Sequence, residues 1–257
     1  MEVFRIGEKI LAVVQLIATE GELPFAEIGS RLGLSKASTH RAISTLREAG
    51  WIVEVPETRR YRLGLSLWEL GRRAVDQVPA FALGFPVMQA LSTRLGAGVN
   101  LSVLHGEEML FIAASSGLPS RHVPVSIAAR SPLHVTASGK VALAFGTAFE
   151  EVIPRLALPA LTPSTITDRK TLLQQVVAIR VNGFGISIGE RQVDRGNVAA
   201  PVFSAGGRYE ASLAVAFDLP CDDAWIEETS GRLLEATREL ALLLGDRRFA
   251  TDDALVS

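Results

Sequence analysis

Three stretches near the start of the chain repeat apolar residues at helical spacing. In the first, Ile6, Ile10, Val13, Val14 and Ile17 share a face that Leu11 and Leu16 widen, and Gly21 stops it. Pro24 suits the first turn of a second helix, where its missing N–H costs nothing, and Phe25, Ile28 and Leu32 form that helix's buried stripe. Gly33-Leu34-Ser35 then predicts a tight turn. Gly33 can adopt the left-handed conformation that ends a helix, and Ser35 is a favourable N-cap for the next. The third helix is expected from about Lys36 to Ala49, with Ala42, Ile43 and Leu46 inward and Lys36, Ser38, Thr39, His40 and Arg41 outward. After Gly50 the period shortens to two. Residues 51–55 and 61–63 read as paired strands around a turn at Pro56-Glu57-Thr58-Arg59-Arg60.

Helix, helix, turn, helix and a basic-tipped hairpin make a winged helix-turn-helix. Short polar and basic side chains at the start of its third helix let that helix enter a major groove and bond base edges or phosphates. On this reading Ser35, Lys36, Ser38, Thr39, His40 and Arg41 face DNA, and Arg59, Arg60 and Arg62 on the wing meet phosphate or minor groove. The charge distribution agrees. Residues 31–62 hold seven Lys/Arg against three acids, a local +4 within a chain of net charge −2.

Residues 65–78 carry Leu65, Leu67, Trp68, Leu70 and Ala74, an apolar pattern too strong for a free tether. Beyond Pro79 strand and helix signals alternate. Helices are expected at 85–95, 137–145, 170–181 and 223–244; strands at 99–104, 109–114, 123–128, 184–189, 198–203 and 211–217. Hairpins with flanking helices define an α+β domain on an antiparallel sheet. The expected organisation is a DNA-binding domain over 1–64, a linker helix over 65–79 and a ligand-binding domain over 80–257.

The chain has 257 residues, 48% hydrophobic and 21% charged, ordinary for a soluble globular protein. No stretch approaches a membrane span, and Glu2, Arg5 and Glu8 make the start unlike a secretory signal. The single cysteine, Cys221, permits no internal disulfide. A cytoplasmic location is expected.

Enzymatic chemistry finds little support. Ser138-Gly139-Lys140 superficially matches a phosphate loop, but position 134 is His, not Gly, and Val141 stands where Ser or Thr would bind magnesium. Ala137 removes a Ser-x-x-Lys pair. His122 and His134 have no second ligand at metal spacing, so neither a metal nor another cofactor is expected. The stretch from Ser131 to Lys140 reads instead as a pocket wall. Thr136, Ser138 and Gly139 open a helix whose unpaired N–H groups suit an anionic or carbonyl ligand.

The run from Phe25 to Gly71 resembles the DNA-binding domain of IclR-type transcriptional regulators. The telling elements are Leu32-Gly33-Leu34-Ser35-Lys36, Thr39-His40-Arg41, the helix end at Leu46 to Gly50, and Tyr61-Arg62-Leu63-Gly64. "SPLHVTASGKVALA" (131–144), "RVNGFGISIGE" (180–190) and "NVAAPVFSAGGRYEASLAV" (197–215) resemble the GAF-like effector-binding domain of the same family. The resemblance implies a non-enzymatic, ligand-responsive transcription factor. It would work as a homodimer or homotetramer, with operator DNA and a small-molecule effector as partners and the linker helix taking part in dimerisation.

Family members that sense small keto-acids carry an acid, a cysteine and two serines at four pocket positions. The resemblance places those positions on Ser187, Asn197, Ala214 and Ala216. A pocket so altered suits a larger or less polar effector than pyruvate or glyoxylate, such as an aromatic acid or other catabolic organic acid. Arg191 and Arg195 are expected at the surface, available to a carboxylate only if they turn inward. The competing class is a sensor or interaction module whose winged helix no longer reads DNA.

Overall fold

The computed structural model describes residues 2–115 and 126–249, which fall into two units, 1–77 and 78–257. In the first unit α1 (Glu2–Glu20) is followed by a two-residue strand, β1 (Leu23–Pro24), then α2 (Phe25–Arg31) and α3 (Lys36–Glu48). Pro24 is the N-cap of α2, one position earlier than expected, because Leu23 and Pro24 pair with Tyr61 and Arg60. β2 (Ile52–Val55) and β3 (Arg60–Leu63) form the antiparallel hairpin, and the three strands run β1-β3-β2. Val13, Ile17, Ile28, Ile43, Leu46 and Ile52 close one core under the three helices. α4 (Ser66–Asp76) ends the unit with no buried residue. Its Leu65 and Trp68 flank stands 81% and 68% exposed.

The second unit begins with α5 (Pro79–Leu95). That helix starts six residues before the expected Phe85. The start is set by Pro79 in the first turn, and Pro86 is accommodated inside the helix. Next come β4 (Gly98–His105), β5 (Glu108–Ser115) and β6 (Arg130–Pro132), then α6 (Ala137–Gly146), a short α7 (Phe149–Val152) and α8 (Arg169–Asn182). β7 (Gly185–Ile188), β8 (Arg195–Ser204), β9 (Arg208–Asp218) and α9 (Asp223–Leu243) complete it. Half of the strand expected at 123–128 lies outside the described residues; Ser126 to Ala128 are not strand, and β6 follows instead.

The six strands form one antiparallel sheet in the order β6-β5-β4-β9-β8-β7. Successive side chains alternate between faces, so the two faces carry different jobs. Leu101 faces α5 and α9: a Cβ on Gly84 of α5 would meet Leu240 at 3.3 Å and Leu101 at 3.8 Å. Ala199 and Ala214 face the opposite way and share a core with Val141, Ala142 and Leu143 of α6 and with Leu172 and Val176 of α8. The sheet is therefore covered by helices on both faces, an α+β layer arrangement. On the α6 side, Ser187, Asn197 and Ala216 are direct cross-strand neighbours, and Ala214 lies opposite Asn100.

Candidate DNA-binding surface and effector cavity

The turn between α2 and α3 forms as its residues dictate. Gly33 takes φ +61°, the left-handed conformation that side chains disfavour. Leu34 N–H donates to Gly29 O (2.9 Å), and Ser35 Oγ caps α3 by accepting from Ser38 N (3.2 Å). Lys36, His40 and Arg41 project exposed from the first turns of α3, with Ser38 partly exposed. Thr39 departs from expectation. It is fully buried, its Oγ1 donates to Ser35 O (3.1 Å), and a Cβ on Gly29 would lie 2.9 Å from that oxygen. Thr39 thus fills the seam where α2 and α3 approach most closely, and its side chain is withdrawn from the outer face.

On the hairpin, Arg59, Arg60 and Arg62 are all exposed, but two are held. Arg59 reaches φ +56° at the tip and places its Nε 2.9 Å from Glu54; Arg60 Nη1 donates to Glu22 O (3.0 Å). Glu54 also receives Arg47 (3.4 Å) and the Tyr61 hydroxyl (3.4 Å). These contacts fix the wing's basic tip against its own domain. Arg62 is exposed and, among the described residues, its side chain makes no hydrogen bond or ion pair.

In the second unit a cavity of about 330 Å³ opens against the α6 face of the sheet. Ser187, Asn197, Ala214 and Ala216 all line it, together with Thr136 and Ser138 from the start of α6. Gly139 does not line it. Its missing side chain serves packing, since a Cβ there would collide with the Leu133 backbone. The α6 N–H groups are also less available than expected. Asn197 Oδ1 accepts from Ala137 N (2.8 Å), and Thr136 Oγ1 from Gly139 N (3.1 Å). Ser187 Oγ donates to Val135 O (3.2 Å). Three of the expected polar groups therefore brace the cavity wall.

Arg191 and Arg195, expected at the surface, both line the cavity. Arg195 pairs with Asp218 (3.6 Å). Arg191 lies 5.6 Å from the centroid of the Phe111 ring, within cation–π range. Burial lowers the pKa of its guanidinium. Asn100 and Phe111 are lining residues that the sequence reading missed. The available signal was a carboxamide inside the apolar strand Val99-Asn100-Leu101.

Lys140 is neither a phosphate ligand nor solvated. Its Nζ lies 2.6 and 2.7 Å from the two Glu190 oxygens, with the lysine side chain fully buried. Thr162 Oγ1 donates to Gly189 O (2.6 Å) and Thr165 Oγ1 to Glu190 O (2.6 Å), so the turn ahead of Arg191 is tied down from two sides. His134 is buried with Nε2 3.0 Å from Pro159 O, hence the Nε2–H tautomer; desolvation pushes its pKa down. His122 lies outside the described residues.

A capped helix with a polar leading face beside a basic wing, in a chain that carries a separate cavity-bearing sheet domain, defines a helix-turn-helix regulator with a ligand-binding domain. Residues 8–56 match the IclR helix-turn-helix domain, and residues 72–242 match the bacterial transcriptional regulator IclR C-terminal domain. The chain belongs to the IclR family of bacterial transcriptional regulators. It is 27% identical over 240 residues to the HTH-type transcriptional regulator KdgR of Escherichia coli, spanning 92% of this chain and 91% of that protein. It is also 27% identical over 209 residues to the Pca regulon regulatory protein of Pseudomonas putida, 80% of this chain and 71% of that one.

Among solved structures, an IclR regulator of Silicibacter superposes with a TM-score of 0.77 at 26% identity, covering 94% of this chain and 96% of that one. An IclR homologue of Microbacterium hydrocarbonoxydans, solved as a complex with 4-hydroxybenzoate, superposes with a TM-score of 0.81. At 24% identity, over 93% of this chain and 99% of that one, it shares the fold. Among the described residues no helix is long and apolar enough to cross a membrane, and no cluster of His, Cys, Asp and Glu could hold a metal.

Proposed function

We propose that this regulator binds operator DNA as a homodimer or a dimer of dimers, and that an organic acid in the second-unit cavity changes its promoter activity. The observation that carries the reading is the cavity itself: about 330 Å³, within the range of small-molecule sites, and braced at Thr136, Ser187 and Asn197 by hydrogen bonds within the fold. Lys36, Ser38, His40 and Arg41 supply the major-groove contacts, with Ser35 at the phosphate-facing N-terminus of α3. Arg59, Arg60 and Arg62 supply backbone or minor-groove contacts. Thr39 acts by seating the helix. The exposed Leu65 and Trp68 flank of α4 supports pairing through a second copy. Two-fold pairing calls for a roughly palindromic operator whose half-sites are spaced by whole helical turns.

The protein works in the cytoplasm without catalysing a reaction. Its effector is an aromatic or other catabolic organic acid, a reading supported by the two alanines at Ala214 and Ala216 in the cavity wall and by the 4-hydroxybenzoate bound to the Microbacterium homologue. Regulation requires that the effector bind one arrangement of the paired DNA-binding domains more tightly than another. Arg41→Ala tests the division of labour. Operator affinity should collapse while ligand-dependent thermal stabilisation of the full chain persists; unchanged operator affinity would contradict it.

A further inference from the structure

Two groups in the cavity wall lack the partners their chemistry demands. Asn100, 4% exposed, has its Oδ1 buried without a hydrogen-bond partner among the described residues. A buried acceptor left unmade costs about 1–3 kcal/mol. Arg191 is partly buried over Phe111 and, among the described residues, forms no ion pair with an acid. The other charged lining residues do not answer it. Arg195 is matched by Asp218, and Asp194 is an exposed side chain that forms no ion pair with Arg191. Residues 116–125, which lie outside the described structure, contain no Asp or Glu in sequence.

The same wall carries apolar groups at Phe111, Ala129, Ala214 and Ala216, alongside polar ones at Thr136, Ser138, Ser187 and Asn197. A cavity of about 150 Å³ holds a benzene ring, so about 330 Å³ leaves room for a ring with substituents. A three-carbon acid would leave much of that space unfilled.

Resting on the effector reading above, we infer that the ligand is a hydroxylated aromatic monocarboxylate, its carboxylate held by Arg191 and its hydroxyl donating to Asn100 Oδ1. The carboxylate gives the desolvated guanidinium a counter-charge and a planar, bidentate partner. The ring packs on Phe111 and the two alanines. A single carboxylate suffices, because Arg195 already has its counter-charge in Asp218. Asn100 then selects among aromatic acids: a site built to receive a hydroxyl penalises an analogue lacking it.

Calorimetric titration of the full chain tests this with the three hydroxybenzoates, the matching methoxybenzoates, the hydroxybenzamides and pyruvate. At least one hydroxybenzoate should bind, about tenfold tighter than its methoxy analogue and more tightly than its neutral amide. Arg191→Met should weaken that acid about 30-fold and change amide binding less than about twofold. Arg191→Lys, which retains the charge, should keep the preference for acid over amide, whereas Arg191→Gln, which loses it, should erase that preference and serves if the methionine variant fails to fold. Asn100→Ala should abolish the hydroxy-over-methoxy preference. Acid binding unchanged by Arg191→Met or by Arg191→Gln overturns the anchor and leaves the effector cavity standing. Preference for pyruvate or for the amides overturns the ligand class. If no carboxylate binds, the inference and the effector reading fall together.

Discussion

Replacing Lys140 with methionine removes a cation that is fully buried and bonded to both oxygens of Glu190 at 2.6 and 2.7 Å. Burial drives the ammonium's pKa down, and the Glu190 carboxylate opposes that shift; neither group is stable here alone. Lys140→Met strands a buried carboxylate, at a cost of about 3–5 kcal/mol. For a unit of this size one kcal/mol shifts the melting midpoint by roughly 2–4 °C, so a fall of about 6–20 °C is expected. Lys140→Met with Glu190→Leu removes both charges and should recover most of that loss, because well-packed apolar replacements of buried pairs are often neutral. The coupling between the two sites should reach about 2 kcal/mol. Differential scanning calorimetry of the full chain reads all four corners of the cycle. The single variant should also bind effector more weakly, since Glu190 immediately precedes Arg191 in the tied-down turn. A midpoint shift below about 2 °C for Lys140→Met, or a double variant no more stable than the single, would refute the reasoning.

Gly29→Ala should destabilise the first unit by about 1–3 kcal/mol, because its Cβ would lie 2.9 Å from Thr39 Oγ1; adding Thr39→Ala should restore part of that, read by thermal melting. Thr39→Ala alone should leave the salt slope of operator binding unchanged, as a buried side chain predicts and a phosphate contact forbids. His134 is kept neutral in the fold, with its pKa below the ordinary 6.5. Its contribution is therefore full above that value and is lost as pH falls through the window down to the folded-state pKa. His134→Gln should flatten the loss of melting temperature between about pH 7 and about pH 5. Arg62→Ala should weaken cognate and random duplexes alike and reduce the salt slope by about one, measured by fluorescence anisotropy.

The DNA-binding unit was legible because its signals are local. The change of period from 3.6 to 2 after Gly50, the turn at Gly33 and the cap at Ser35 each act within a few residues. Thr39 was misplaced because a threonine whose hydroxyl bonds the carbonyl four residues back counts as polar in sequence while being buried in the fold. The start of α5 was placed late because Pro79 reads as the end of the linker helix, whereas it opens the next one. The cavity positions at Ser187, Asn197, Ala214 and Ala216 came from resemblance, and the strand register explains why they converge. Asn100 stayed hidden, and Arg191 was expected at the surface, because the two lie 91 positions apart and come to one cavity only through tertiary structure. The Lys140–Glu190 pair spans 50 positions and was equally invisible to motif reading.

The central claim is that α3 and the wing read operator DNA. Titrating the full chain onto the intergenic duplex upstream of its own gene, and onto a random duplex of equal length, across a salt series tests it most directly. The account predicts affinity for the cognate duplex at least about a thousandfold above the random one, with both falling steeply as salt rises. Equal, weak binding to the two duplexes, persisting with genomic fragments and with the aromatic acids present, would contradict it.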